Sequence, residues 1–318
     1  DVYKRQVVFG EDVEMIRRNL FVRFGGSRVR NAPISEAAFV GAAVTAAMGG
    51  LRPVVEVMLV DFIGVCVDAL LNHAAKLEGF TGGRWRAPLV VRAACGGGYG
   101  DGGQHEQALW GWLAHIPGLT AVAPSTPEDA GRTMLSAIEH DGPTVFLEHK
   151  LLADYWLDYL GAGGRETVTY DVPADGAEGP IPDRWTPLPV GEAVERRAGD
   201  DVALVGLGVG VHRCLEAADR LEGRGISAAV LDLRWAAPLD REALVRVAHC
   251  GRVVVVDEDY RECGLSGEIA ATLLEAGLHP SFARVCTETT IPYARHLEDA
   301  TLPNVDRILT AVDSLIDS

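Results

Sequence analysis

The sequence lacks several features that would place a protein in a class at once. No apolar run approaches the roughly 20 residues that a membrane-spanning helix needs, which argues against a membrane protein. Basic residues are in the minority: 29 Lys and Arg stand against 45 Asp and Glu, giving a formal net charge of −16 at pH 7. This balance argues against nucleic acids and anionic membrane surfaces as partners. The chain does not begin with Met, and we expect that it is processed or truncated at its start.

Cysteine and asparagine are also scarce. The six cysteines form no CxxC pair and no metal-ligand spacing, which favours scattered reduced thiols in a cytoplasmic protein over a disulfide framework or a zinc site. The four asparagines are never adjacent; they are Asn19, Asn31, Asn72 and Asn304. An Asn-Asn pair is therefore absent from these 318 residues.

Apolar residues, in contrast, make up 48% of a chain long enough for about two domains. Around 160–189 Gly, Pro and Asp are frequent and the apolar periodicity is lost, which predicts a linker between domains at 1–160 and 190–318. In the second domain we predict strands at 202–206, 226–231, 252–256 and 282–286, alternating with helices at 211–222, 240–248, 265–276 and 304–316. This alternation predicts an α/β fold with mainly parallel sheets.

The first domain shows the same alternation. We predict strands at 7–10, 53–60, 88–92, 117–122 and 144–148, and helices at 11–23, from Ser35 to Gly49, at 63–78 and at 126–140. A glycine-dense loop, Gly96 to Gly103, can be mobile or can let a backbone approach a ligand, and it leads directly to His105.

The stretch from Arg28 to Phe62 combines a turn, a helix of small residues and a buried strand. Ser35 is a good N-cap candidate, and Glu36 occupies the first turn behind it. A carboxylate there is often only a partner of the helix dipole. The alternative interpretation is that Glu36 faces a cofactor.

Ordered motifs in this stretch and beyond resemble one family, the beta subunits of the thiamine-diphosphate-dependent component of 2-oxo acid dehydrogenases (pyruvate, branched-chain and acetoin types). The matching segments are GEDV at Gly10–Val13, FGGSRV at Phe24–Val29, PISE at Pro33–Glu36, GLRPVVEVMLVDF at Gly50–Phe62, NHAAK at Asn72–Lys76, GGQHEQ at Gly102–Gln107, HIPGL at His115–Leu119, GRVVVVDE at Gly251–Glu258 and IPYARHLEDATLPNVDRI at Ile291–Ile308. The resemblance implies a transketolase pyrimidine-binding domain followed by a transketolase C-terminal domain.

The resemblance also implies roles for single residues. Glu36 matches the acid that bonds the cofactor's pyrimidine ring, and Met58 and Phe62 match positions that pack on that ring. The alternative for the latter two is ordinary strand core. His105 matches a histidine that serves the oxo-acid substrate and acyl transfer to a lipoyl group.

Three positions depart from the family or stay open. Glu106 stands where the family commonly has Ser, and we expect it to add negative charge beside His105. The loop after GEDV is several residues shorter than usual. Glu56, the one acid in its strand, is either a second acid behind the cofactor or a subunit-interface group.

The cofactor's diphosphate and its Mg²⁺ call for a GDG motif that ends downstream in Asn-Asn. Gly100-Asp101-Gly102 has no such sequel, so the resemblance implies that a separate alpha subunit binds the diphosphate and Mg²⁺. The implied assembly is a heterotetramer of two alpha and two beta subunits (α2β2). It would decarboxylate a small 2-oxo acid and pass the acyl group to the lipoyl domain of a transacylase core.

Two weaker motifs complete the set. Some family members hold K⁺ with main-chain oxygens, and the matching positions are Leu89, Ala137, Ile138, His140 and Gly142, with His140 replacing a common Asp. The run from Gly206 to Gly210 resembles a dinucleotide-binding loop but lacks its third glycine, which favours a tight strand-to-helix turn.

Alternatives remain at this point. The segment WGWLAHIPGL at Trp110–Leu119 echoes acetoin dehydrogenases. A transketolase-like or deoxyxylulose-phosphate-synthase-like enzyme would require a basic phosphate pocket, which the sequence does not indicate. A non-catalytic assembly subunit of the same fold is disfavoured by Glu36 and His105.

Overall fold

The computed structural model describes residues 2–98, 100–153 and 179–317. The strands are β1 (Gln6–Gly10), β2 (Val29–Asn31), β3 (Arg52–Leu59), β4 (Val90–Cys95), β5 (Thr120–Val122), β6 (Thr144–His149), β7 (Val194–Arg197), β8 (Val202–Gly206), β9 (Ala228–Asp232), β10 (Trp235–Ala237), β11 (Arg252–Tyr260) and β12 (Ser281–Thr287). The α-helices are α1 (Val13–Ile16), α2 (Arg18–Phe24), α3 (Glu36–Met48), α4 (Ile63–Asp68), α5 (Leu77–Phe80), α6 (Trp110–Ala114), α7 (Pro127–Glu139), α8 (Val209–Glu222), α9 (Arg241–Ala248), α10 (Leu265–Glu275), α11 (Arg295–Thr301) and α12 (Val305–Ile316).

These strands form two sheets, and the predicted α/β class with mainly parallel sheets is confirmed. The first sheet has the order β10-β5-β6-β4-β3-β1-β2, and the second has the order β12-β11-β8-β9-β7. All pairs are parallel except β10 with β5 and β7 with β9. Parallel strands place their carboxyl ends along one edge of a sheet, where ligand sites are built in open α/β folds.

The two sheets are joined by more than a linker. Strand β10 comes from the half of the chain predicted as the second domain, yet Trp235 pairs with Val122 of the first sheet. Trp235 is fully buried there. One cluster of buried side chains also runs across both sheets, from Phe39 in α3 to Val255 in β11.

Two predicted helices of the first domain are wrong in detail. The predicted helix 11–23 is interrupted at Arg17, which lies between α1 and α2. The predicted helix 63–78 contains a π-helical segment, Ala69–Ala74, where the Ala75 amide donates to the Leu70 carbonyl. An inserted residue turns the following side chains by about 100°, so one apolar stripe cannot run from Val65 to Leu77.

The second half agrees more closely with expectation. Strand β8 has its predicted bounds, and the Gly206–Gly210 run is a tight turn in which Gly208 adopts φ 55°. The predicted linker at 161–189 falls mostly outside the described residues. Its described part returns along α7, where Ser136 Oγ donates to the Leu188 carbonyl at 2.6 Å. Within the described residues, no helix is both long enough and apolar enough to cross a bilayer.

Candidate cofactor and catalytic site

Glu36 opens helix α3 at the carboxyl edge of the first sheet. Ser35 is the N-cap by backbone position but makes no side-chain capping bond. Glu36 is only 9% exposed, and none of the described residues bonds its carboxylate. Burial, with the nearby charges of Asp12 and Glu36, raises the pKa of the Glu11 carboxyl, so Glu11 at the end of β1 is a neighbour. A carboxylate largely withdrawn from water and left without a partner is available to a ligand.

Phe62 and His105 meet at the same edge. Phe62 ends the turn that follows β3, and His105 follows the glycine loop after β4. Their ring centroids lie 5.9 Å apart at an interplanar angle of 89°, the edge-to-face arrangement that aromatic rings prefer. Met58 is half-buried near the end of β3. The sheet thus gathers the four predicted side chains at one edge from three separate segments.

His105 is held through both its ring and its backbone. Its Nδ1 lies 3.3 Å from the Asp101 carbonyl oxygen, which can only accept, so this contact places a proton on Nδ1. In the neutral ring Nε2 is then an acceptor. The His105 carbonyl accepts a bond of 2.6 Å from Lys150 Nζ.

The negative charge expected from Glu106 beside His105 stays a prediction, and its side chain is not exposed to solvent. Glu106 is fully buried, and its Oε2 accepts from the Gly102 amide at 2.9 Å. Burial lowers the pKa of the Lys150 ammonium, and the charges of Glu106 and Asp101 oppose that shift. The negative charge of Glu106 therefore lies near the buried ammonium group of Lys150.

Two amides of the glycine loop donate to buried carboxylates. The Gly97 amide donates to Glu258 Oε1 at 2.8 Å, and the Gly98 amide donates to Glu298 Oε1 at 2.8 Å. A Cβ on Gly97 would lie 2.6 Å from a terminal methyl of Leu302, so this glycine packs closely against the C-terminal part of the chain. Both interpretations of the loop stay predictions.

Glu258 is the centre of the buried charges that anchor this loop. Its Oε1 accepts from His149 Nε2 at 2.8 Å, and its Oε2 accepts from Arg213 Nη1 at 2.5 Å. His149 Nδ1 accepts from the Leu151 amide, so a neutral ring with its proton on Nε2 fits both contacts. Burial alone would raise the pKa of Glu258, but His149, Arg213 and the Gly97 amide lower it to about 2.

Comparisons with known proteins identify the family. The model of the transketolase pyrimidine-binding domain matches residues 2–154, and that of the transketolase C-terminal domain matches residues 191–308. The acetoin:2,6-dichlorophenolindophenol oxidoreductase subunit beta of Cupriavidus necator is 37% identical, over 93% of this chain and 82% of that protein. The 2-oxoisovalerate dehydrogenase subunit beta of Bacillus subtilis is 35% identical, over 98% and 92%. This chain belongs to the family of 2-oxo acid dehydrogenase beta subunits.

Other relatives agree with this membership. The mitochondrial pyruvate dehydrogenase beta subunit of Dictyostelium discoideum is 34% identical to this beta subunit, over 96% of this chain and 83% of that protein. A solved split-gene transketolase, described as an inactive beta4 tetramer, has a TM-score of 0.77 at 21% identity, over 99% and 92% of the two chains. This last likeness shows the fold alone.

The residues at the sheet edge fit the aminopyrimidine end of thiamine diphosphate, on which this family depends. Glu36, whose carboxyl bonds none of the described residues, can bond a ring nitrogen. Phe62 and the half-buried Met58 offer apolar surface for a flat ring. The individual roles of Glu36, Met58, Phe62 and His105 stay predictions.

Three of the five predicted potassium ligands already accept hydrogen bonds, and the potassium site stays a prediction. Arg52 Nη1 donates to the main-chain oxygens of Ile138 at 3.0 Å and His140 at 2.7 Å, and also to Glu139 at 3.2 Å. The Leu89 carbonyl accepts from the Thr144 amide at 2.9 Å. Arg52 is only 9% exposed. Its guanidinium, which is always charged, caps the last carbonyls of α7.

Glu56 lies inside an ion cluster of its own chain. It pairs with Arg17 and, at 3.4 Å, with Arg92, and Arg92 also pairs with Glu148. Arg17 is half-buried in this cluster. Both alternatives for Glu56 stay open beside this internal pairing on the sheet.

Sequence reasoning missed the residues that hold the site together. The sequence pattern predicted no role for four of them: Lys150, His149, Arg213 and Glu298. Glu258 was named only as the last residue of a motif. Their partners lie 45 to 200 positions away along the chain. The available signal was the charge itself, because buried acids and bases are rare unless they are paired.

Proposed function

We propose that this beta subunit forms one half of a thiamine-diphosphate site and works only with an alpha subunit, in an α2β2 enzyme. The observation that carries the proposal is Glu36, a nearly buried carboxylate at a helix start that no described residue bonds. The relatives support it, because each of the three named above is a beta subunit.

The cofactor, when bound, supplies a carbanion that adds to the carbonyl of a 2-oxo acid and then acts as an electron sink. Glu36 would hold a proton at a pyrimidine nitrogen of the bound cofactor. Phe62 and Met58 would exclude water from the pyrimidine ring. His105, with its proton on Nδ1, presents Nε2 to accept a proton or a hydrogen bond at the substrate.

The alpha subunit binds the diphosphate and Mg²⁺ in this proposal, since the 318 residues contain no Asn-Asn pair to complete that motif. The acyl product passes to the lipoyl group of a transacylase core. Potassium has no part in the proposal, because Arg52 already donates hydrogen bonds to two of the five carbonyls that would bind it.

Acetoin is the second candidate substrate. Two relatives named as acetoin:2,6-dichlorophenolindophenol oxidoreductase beta subunits are 37% and 36% identical, against 35% for the 2-oxoisovalerate enzyme. These identities are too close to choose by, so the substrate is a matter for assay.

The test is to purify the chain together with an alpha subunit of this family and to follow reduction of 2,6-dichlorophenolindophenol with pyruvate, 2-oxoisovalerate and acetoin. We expect turnover of one substrate class by the pair and none by either chain alone. His105→Asn should lower kcat by about 10²–10⁴, the usual worth of a positioned acid or base. His115→Asn, at an exposed histidine nearby in sequence, is the matched control.

Two results would contradict the proposal. A stable pair that turns over none of the three substrates would favour a non-catalytic assembly subunit. Equal activity of the His105→Asn and His115→Asn pairs would remove His105 from the chemistry.

A further inference from the structure

Lys150 is a buried cation that takes no part in the cofactor and catalytic roles proposed above. It follows the last residue of β6 and is 2% exposed. Its Nζ lies 2.6 Å from the main-chain oxygen of His105, 45 positions away in the sequence. Burying an ammonium group is costly unless charge and hydrogen bonds compensate it.

Glu106 supplies the opposite charge from the next residue along the loop. It is fully buried, and its Oε2 accepts from the Gly102 amide at 2.9 Å. The Lys150 ammonium lies within the electrostatic reach of Glu106 and of Asp101. The same Asp101 offers its carbonyl oxygen to His105 Nδ1.

These contacts restrain His105 on three sides. Lys150 Nζ donates to the His105 carbonyl, and Phe62 meets the His105 ring edge-on. Glu106, the next residue in the chain, accepts from the Gly102 amide. The main-chain bond is charge-assisted, a class about twice as strong as neutral hydrogen bonds. A ring held in this way keeps one position relative to the sheet edge.

We propose that Lys150 and Glu106 form a buried positioning pair that fixes the His105 imidazole at the carboxyl edge of the first sheet. Lys150 is thereby a positioning residue, and its effect on turnover rests on the function proposed above. The placement itself is independent of that function, because the contacts are all within this chain.

Four variants separate the parts of the pair. Lys150→Met removes both the charge and the donor to the His105 carbonyl, whereas Lys150→Arg retains both in another shape. Glu106→Gln keeps an acceptor for the Gly102 amide but removes the charge. The double variant, Lys150→Met with Glu106→Gln, restores charge balance and still lacks the donor. Lys76→Met, at a lysine outside this cluster, is the control.

The variants are assayed in the complex with the alpha subunit for kcat, KM and thermal midpoint, and by NMR of ¹³Cε1-labelled histidine, with His105→Asn to assign the resonance. Displacing a reacting group by about 1 Å costs roughly 100-fold in rate. We therefore expect Lys150→Met to lower kcat by about 10- to 100-fold with KM within about threefold, and to shift the His105 resonance. The double variant should recover the thermal midpoint but not kcat, and Lys150→Arg should recover part of kcat.

The proposal is overturned if Lys150→Met leaves the His105 resonance in place. It is also overturned if the double variant restores kcat together with the thermal midpoint, because the pair would then be only structural. If the wild-type complex turns over no substrate, the proposed function fails, and the resonance still decides the position of His105.

Discussion

Replacing Glu258 with glutamine tests the buried cluster behind the glycine loop. The change removes the negative charge and breaks the ion pair with the Arg213 guanidinium, whose side chain is 3% exposed. Breaking a buried pair on one side costs about 3–5 kcal/mol. A second route gives a similar value, because a carboxyl whose pKa falls from 4.5 to about 2 contributes about 3 kcal/mol to stability.

The sign of the pH effect follows from the lowered pKa. The contribution of Glu258 is fully present above pH 4.5 and is lost as the pH falls through about 2. The difference in stability between wild type and Glu258→Gln should therefore be constant near neutral pH. It should shrink as the pH falls below about 4.5.

Thermal unfolding of the assembled complex measures this loss. An unfolding entropy of about 2.1 cal/mol/K per residue gives roughly 0.7 kcal/mol/K for this chain, so we expect the midpoint at pH 7 to fall by about 5–7 °C. Glu262→Gln, at an exposed glutamate just after β11, is the matched control and should shift it by less than about 1 °C. A Glu258→Gln midpoint within 1 °C of wild type would refute the role assigned to this cluster.

Two further predictions concern charges away from the cofactor edge. Arg52→Met should lower the free energy of unfolding by about 2–4 kcal/mol, because three carbonyls at the end of α7 lose a charged donor. Exchanging K⁺ for Na⁺ should not move the thermal midpoint of the wild type. A midpoint that depends on K⁺ would support the potassium site. Burial, with the charge of Asp257, raises the pKa of Asp259 from 3.8 to about 6, so its contribution favours folding below pH 3.8 and is lost as the pH rises through about 6. Asp259→Asn should flatten the decline of the midpoint over that window, whereas Asp200→Asn, at an exposed position, should leave it unchanged.

Regular elements with long apolar runs could be predicted from the sequence. Strand β8 and the helices of the second half follow their periodicity, because each element is buried along a face that repeats at its own period. Strand β10 could not be predicted. It has three residues, too few for a period, and it is a strand only because β5 lies beside it.

The candidate site divides in the same way. Glu36, Met58 and Phe62 lie within one stretch of 27 residues whose local pattern and family resemblance both point to a cofactor. The surroundings of His105 could not be anticipated, because Lys150 reaches its carbonyl from the end of β6, 45 positions away, and Glu258 reaches the glycine loop from β11 of the second sheet. Charge pairing of that kind leaves no periodic trace in a sequence.

The most direct test of the central claim is calorimetric binding of thiamine diphosphate with Mg²⁺. It compares this chain alone, the chain with its alpha subunit, and the same pair carrying Glu36→Gln. The shared site predicts tight binding by the wild-type pair and turnover that is lost with Glu36→Gln, with no tight binding by the chain alone. Tight binding by this chain alone, or full turnover of the Glu36→Gln pair, would contradict the account.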